Sequence, residues 1–215
     1  MERKAVLFDL DGTLTDSGEG IMNCVQLALN HFGIPVERRD DLRVFVGPPL
    51  RETFPKFSVP EAEVEHAIEI YRSRYNTVGI FENEPYPGVR ELLQTLKERG
   101  FRLFVATSKP EVSALRVLDR FELSQYFEEI AGATWDGSRD TKESVIAYLL
   151  EKIGNVNHAV MVGDTRYDVE GASLHKIPTI GVSWGYGTVE ELMQAGAVAI
   201  ANTAESLLAL LENGC

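Results

Sequence analysis

Two stretches of the chain each hold a pair of aspartates: Asp9-Leu10-Asp11-Gly12-Thr13 near the N-terminus, and Gly163-Asp164-Thr165-Arg166-Tyr167-Asp168 in the last third. Each directly follows an apolar run, Ala5 to Phe8 and Ala159 to Val162. Taken singly, either stretch reads as a strand-to-loop turn, or as a helix capped by its own aspartate. Together they say more. If the two runs are neighbouring strands, Asp9, Asp11, Asp164 and Asp168 converge, and such crowded like charges are costly unless a hard divalent cation lies among them. Mg²⁺ is the natural candidate. An EF-hand calcium loop does not fit, because its sixth and twelfth positions, counted from Asp9, hold Leu14 and Gly20 where Gly and Glu are needed.

The elements that must position these residues are legible as short, continuously apolar runs followed by helix-like segments. Besides the two already named they are Arg102 to Ala106, Pro178 to Gly181 and Ala197 to Ala201. Unbroken hydrophobicity marks strands covered on both faces, and helices between them imply crossover connections. The fold class is therefore α/β, with a parallel sheet. Ligands in such open sheets bind at the carboxyl ends of the strands, where both aspartate pairs fall. Between about residues 17 and 84 no strand-like run occurs. Ile21, Cys24, Val25, Ala28, Leu29 and Phe32 recur at helical spacing, and Val64, Ala67, Ile68 and Tyr71 share a face of a second helix over Glu61 to Tyr75. This predicts a small helical insert, residues 17–84, between two parts of a core, 1–16 and 85–215. Pro85-Tyr86-Pro87-Gly88 marks the return, ahead of a helix from Val89 to Gly100.

Composition narrows the function. The chain has 215 residues, 44% of them hydrophobic, enough for a sizeable core. Its 21 lysines and arginines against 33 acidic residues, a net charge of −12, argue against the broad basic footprint a nucleic-acid polymer requires. No apolar stretch approaches a membrane span, and the run after Met1-Glu2-Arg3-Lys4 is too short for a signal sequence. Only Cys24 and Cys215 are present, which fits a reducing compartment. A cytoplasmic protein without membrane attachment is expected; no feature of the sequence specifies an oligomeric state.

The order and spacing Asp9-Leu-Asp-Gly-Thr13 followed by Gly163-Asp164-(three residues)-Asp168 resembles the first and fourth motifs of the haloacid dehalogenase-like (HAD) superfamily of Mg²⁺-dependent phosphotransferases. The insert after the first motif resembles that family's helical cap, and Pro85 to Val89 resembles the return to the core in phosphoglycolate phosphatase-like members. The resemblance implies a Rossmann-like, doubly wound core. It implies Asp9 as nucleophile, forming an aspartyl-phosphate, and Asp11 as general acid and base, with its backbone carbonyl also on the metal. Asp164 would bind Mg²⁺ directly, and Asp168 through water or by orienting other ligands. Thr107 would hydrogen-bond the transferring phosphoryl group, with the Ser108 N–H beside it. Lys142 takes the place of the phosphate-neutralising lysine, although Lys142-Glu143 departs from the family's common Lys-Pro, and Arg139 is the competing cation. Carbon–halogen cleavage expels halide and needs no second acid, so Asp11 favours phosphoesters.

The implied partner is a small phosphorylated metabolite, phosphoglycolate-like or a nucleoside monophosphate. Within Gly47-Pro48-Pro49-Leu50-Arg51, Arg51 is the candidate contact for a distal anion. A phosphomutase and a catalytically idle binding relative are the alternatives, the latter weakened because Asp9, Asp11 and Asp164 are all intact. Gly181-Val-Ser183-Trp184-Gly185 matches a serine-hydrolase elbow, but His31, His66, His158 and His175 all precede Ser183, the wrong chain order for that fold. Trp184-Gly185-Tyr186-Gly187 reads instead as a flexible loop near the mouth of the site.

Overall fold

The structure, a computed structural model, describes residues 4–154, 156 and 158–213. Cys215 lies outside them. A six-stranded, wholly parallel sheet runs through the centre in the order β5-β4-β1-β6-β7-β8. In chain order its strands are β1 (Ala5–Phe8), β4 (Arg102–Pro110), β5 (Glu129–Ala133), β6 (Ala159–Gly163), β7 (Thr179–Val182) and β8 (Ala199–Ala201). The remaining pair, β2 (Thr15–Asp16) and β3 (Glu84–Pro85), forms a separate antiparallel ribbon.

β1 shows why the pattern is unbroken. Successive side chains of a strand point to opposite faces. Val6 and Phe8 join the core beneath α4 (Val89–Glu98), α5 (Glu111–Arg120) and α9 (Ala204–Asn213). Ala5 and Leu7 join the other core, beneath α6 (Lys142–Ile153) and α7 (Arg166–Ser173). All four are fully buried, so neither face tolerates a polar residue. The short α8 (Val189–Ala195) packs beside α7. Helices on both faces of a parallel sheet make this the doubly wound, Rossmann-like fold.

The strands run close to expectation, with β6 extending one residue to Gly163 and β8 beginning two residues late, at Ala199, and with further differences in β4, β7 and β5. β4 continues past Ala106 to Pro110, with a register shift beyond Thr107. β7 sits one residue later than the apolar run suggested. β5, Glu-Ile-Ala-Gly-Ala, was missed altogether: an edge strand of small residues broken by glycine carries almost no hydrophobic signal.

Segment 17–84 is helical. α1 (Gly18–His31) packs on α3 (Val64–Tyr75), burying Val64, Ala67, Ile68 and Tyr71 as the spacing predicts. Between them lie 3₁₀ turns and the four-residue α2 (Leu50–Thr53). The chain leaves the sheet through β2 and returns through β3, with Thr15 opposite Pro85 and Asp16 opposite Glu84. Two adjacent strands thus carry the whole insert.

Candidate active site

β1 and β6 are immediate neighbours, paired Phe8 to Val162, so the residues that follow them must meet. Asp9 and Asp164 leave the carboxyl ends of these strands, and Asp168 lies in the first turn of α7. One carboxylate oxygen from each of the three falls within 4.8 Å of the others. All three residues are buried.

Lys142, the first residue of α6, reaches into this group. Its Nζ lies 2.8 Å from Asp9 Oδ1 and 2.7 Å from Asp168 Oδ1, and it donates to the Ala106 carbonyl at 3.0 Å. The contact with Ala106 is a hydrogen bond, and those with the two carboxylates are ion pairs. A capping box between Thr141 and Ser144 fixes where α6 starts and hence where Lys142 points. Asp168 Oδ2 accepts from the Thr165 N–H and hydroxyl, so the cap expected of this residue and its place in the cluster coexist. Among the described residues Asp164 has only neutral hydrogen-bond partners, the Thr13 hydroxyl at 3.1 Å and the Tyr186 N–H at 2.8 Å.

One lysine cannot balance three carboxylates. Burial pushes the Asp9 carboxyl up to about 6 even though Lys142 pulls it down, with Asp168 adding to the rise. Burial also lifts Asp164 well above the usual range, reinforced by Asp168 and Asp9. Burial alone would lower Lys142, but Asp168 and Asp9 more than offset it and leave it raised. Such a pocket is short of positive charge. Hard oxygen donors at this separation, with two negative charges uncompensated, fit a small divalent cation such as Mg²⁺.

Glycine makes the crowding possible. Gly12 has φ +85°, and a Cβ there would lie 2.1 Å from an oxygen of Asp164. A Cβ on Gly185 would lie 2.2 Å from the Asp164 Cβ. Both positions admit hydrogen only.

The Asp11 carboxylate stands outside the three-carboxylate group. Both its oxygens are held by Lys109 Nζ, at 2.9 and 2.7 Å, and that ammonium lies 5.1 Å from the centre of the Tyr75 ring. Lys109 was not anticipated, although its position two residues beyond Thr107 on a strand end was a usable signal. Thr107 is buried at the same edge; its hydroxyl accepts from the Lys109 N–H at 3.2 Å and does not cap α5. Asp9, Asp11, Thr107, Ser108 and Lys109 form the floor of a cleft whose opposite wall comes from segment 17–84, including Phe45, Arg51, Tyr71, Arg72 and Tyr75. The Arg51 guanidinium pairs with Glu65 at 2.5 and 3.1 Å. Arg72 lies 4.5 Å above the ring of Trp135, a core residue on the cleft rim.

Arg139 is not in the cleft floor; it binds Glu111 and the Gly132 carbonyl. Ser183 donates to the Asn202 amide oxygen, and no histidine partner for it is found among the described residues. The loop after it is tied down, contrary to the expectation of a flexible segment: Trp184 Nε1 donates to the Thr13 carbonyl and the Tyr186 N–H to Asp164.

A parallel α/β sheet whose central strand ends discharge buried carboxylates beneath a helical insert defines a class of phosphoester-cleaving hydrolase. The chain belongs to the haloacid dehalogenase-like hydrolase family, whose model matches residues 6–182. It is 42% identical over 189 residues to a 5'-nucleotidase of Pseudomonas aeruginosa, covering 87% of this chain and 86% of that one. It is 43% identical over 200 residues to the tyrosine-protein kinase PtkA of Mycobacterium tuberculosis, covering 93% of this chain and 68% of that one. A predicted phosphatase from Clostridium acetobutylicum superposes with a TM-score of 0.92 at 45% identity, covering 97% and 98% of the two chains. The chain is accordingly a HAD-like phosphatase. None of its described helices is long and apolar enough to cross a membrane.

Proposed function

We propose that the protein is a Mg²⁺-dependent phosphatase that hydrolyses a small phosphomonoester through an aspartyl-phosphate on Asp9. The observation that carries this reading is the buried trio Asp9, Asp164 and Asp168 with a single lysine among them. Asp9, Asp164, Asp168 and the Asp11 backbone carbonyl would hold the ion. When bound, Mg²⁺ supplies positive charge to the phosphoryl oxygens and keeps Asp9 ionised.

Asp9 attacks phosphorus in line and breaks the bond to the leaving oxygen. Lys142 exchanges one of its present acceptors for a phosphoryl oxygen, while the Thr107 hydroxyl and the Ser108 N–H orient the group. Asp11 hands a proton to the leaving oxygen and later takes one from the water that cleaves the acyl-phosphate. To do so its carboxyl must leave Lys109. Segment 17–84 acts as a cap that covers the cleft, excludes bulk water and contacts the leaving group.

The cleft supports two substrate classes. Tyr71, Tyr75 and Trp135 offer aromatic surface for a nucleobase, in keeping with the nucleotidase relative, and Arg51 offers charge for the carboxylate of a phosphoglycolate-like molecule. The buried free thiol of Cys24 fits a reducing, cytoplasmic setting.

The test is release of phosphate from p-nitrophenyl phosphate and from a panel of small phosphomonoesters, with and without a chelator. Activity is expected to vanish with the chelator and return with Mg²⁺. Undiminished chelated activity contradicts the metal assignment. Because one relative is named a kinase, the acceptor is measured as well: free phosphate indicates water, whereas phosphate moved to a second hydroxyl of a hexose phosphate or to tyrosine indicates a transferase. Metal binding without any turnover would mark an idle relative.

A further inference from the structure

We infer that Tyr186 is a positioning residue that couples the metal-site carboxylate Asp164 to the hinge of the cap. The coupling rests on the reading of Asp9, Asp164 and Asp168 as a Mg²⁺ site. One residue touches both places. Its backbone N–H donates to Asp164 Oδ2 at 2.8 Å. Its phenol, at the other end of the side chain, donates to Asp16 Oδ1 at 2.5 Å and accepts from the Gly18 N–H at 2.7 Å. Asp16 is the last residue of the outgoing hinge strand, and Gly18 is the first residue of α1. The phenol is therefore tied to the strand that carries the insert and to the helix that begins it.

The fit at the hinge is close. A Cβ on Gly18 would lie 3.0 Å from the Tyr186 Oη and Cε1, so the helix start sits directly against the ring. The Gly18 N–H is shared between the phenol and Asp16 Oδ1 at 3.1 Å. The other end is equally constrained, because Trp184, two residues earlier, is fixed to the Thr13 carbonyl of the first aspartate loop. A rotation of the hinge that moves Asp16 and Gly18 must drag the phenol or break its bonds. Through residue 186 the same motion reaches Asp164, whose other hydrogen-bond partner among the described residues is the Thr13 hydroxyl.

The hinge also has unfinished hydrogen bonding. Thr15 Oγ1, Ser17 Oγ and both ends of the Asn83 amide are buried without a partner. Buried polar groups left unpaired cost free energy. Their concentration where the two connecting segments pass each other is what a two-state hinge shows when one state satisfies groups the other leaves bare. The Tyr186 bonds hold the present arrangement against that cost. An ion that fixes Asp164 thereby favours one hinge arrangement, and the hinge in turn alters the affinity for the ion, because such coupling is reciprocal.

The experiment compares the wild-type chain with Tyr186→Phe, which keeps the ring and the backbone N–H, and with Asp16→Ala, which breaks the same contact from the hinge side without touching the metal site. Mg²⁺ affinity is read by calorimetry on substrate-free protein, and amide hydrogen exchange is followed over residues 15–18 and 84–86. In the wild type, Mg²⁺ is expected to slow exchange in both hinge segments. In each variant that response is expected to disappear and the affinity to weaken by about tenfold, the usual scale for groups that orient metal ligands. Tyr186→Phe removes the bonds of the phenol to both Asp16 and Gly18, and Asp16→Ala only the first of these, so the double variant is expected to be no weaker than Tyr186→Phe alone. Wild-type affinity in Tyr186→Phe, or an unchanged hinge response to Mg²⁺, overturns the coupling while leaving the metal site intact. No Mg²⁺ binding by the wild type overturns both.

Discussion

Asp9 is asked to be a nucleophile in a place that opposes its charge. Burial has pushed it up to about 6 from the ordinary 3.8, and Asp164 is raised for the same reason. In the metal-free chain both therefore hold a proton to higher pH than an ordinary carboxyl, Asp9 up to about pH 6. The protonated form is relieved of strain as the pH falls through 6 towards the unfolded value, and the penalty for ionising them returns as the pH rises. Mg²⁺ needs them ionised and competes with those protons. The rise in melting temperature produced by saturating Mg²⁺ should consequently be large near about pH 8 and shrink as the pH falls below about 6. A rise that stays constant down to about pH 5 would mean that these carboxyls do not bind the ion. Asp9→Asn should reduce p-nitrophenyl phosphate turnover to background, because an amide is a poor nucleophile. Near-normal turnover would move the nucleophile elsewhere. The acidic residues of this site could be read from the chain because their spacing is local. Lys109 could not be assigned its contact with Asp11 in that way, since 98 positions separate them and only the parallel pairing of β1 and β4 brings them together.

At the scale of elements, the site is made by what strand ends and turns permit. β1 and β6 were legible because both faces of each strand are covered, which forces an unbroken apolar run. β5 was not, because an edge strand built as Ile-Ala-Gly-Ala has little to bury. The turn chemistry was half legible. Gly12 is recognisable as a glycine after a strand, but its reason, the carboxylate of Asp164 pressed against its hydrogen, comes from a different strand. The Trp184 to Gly187 loop looked loose because glycine alternates with aromatics there. Its glycines are instead the price of close approach to Asp164. Gly185→Ala tests this. Its new methyl would overlap Asp164, so the carboxylate has to shift away from Asp9 and Asp168. The Mg²⁺ concentration for half-maximal activity should rise on the order of ten- to a hundredfold, with the far-ultraviolet circular dichroism unchanged. An unaltered Mg²⁺ requirement would show that the position of Asp164 does not control binding.

The whole molecule carries a net charge of −12, which repels the anions it is proposed to cleave. The cleft offsets that charge locally with Lys109 on its floor and Arg51 and Arg72 on the wall from segment 17–84, while Lys142 lies among the carboxylates beneath. Base and wall differ in how their cations are occupied. The lysines are tied to the residues of the proposed chemistry, whereas Arg51 is held by Glu65, a residue of the same segment with no part in it. A substrate with a distal carboxylate or phosphate would have to displace Glu65 to reach that guanidinium. The pair is exposed, so its own contribution to stability is small and the exchange is easy. Two substitutions should then act in opposite directions. Arg51→Ala should raise KM for substrates bearing a distal anion and leave p-nitrophenyl phosphate nearly unchanged, because the latter has no second anion to lose. Glu65→Gln should lower KM for the same substrates by freeing the guanidinium, again without effect on p-nitrophenyl phosphate. Both variants are measured against a phosphocarboxylate, a nucleoside monophosphate and p-nitrophenyl phosphate, with KM and kcat separated. If Arg51→Ala weakens all three substrates equally, Arg51 shapes the cap as a whole and does not select the leaving group. If Glu65→Gln raises KM along with Arg51→Ala, the ion pair itself, intact, is what the substrate meets.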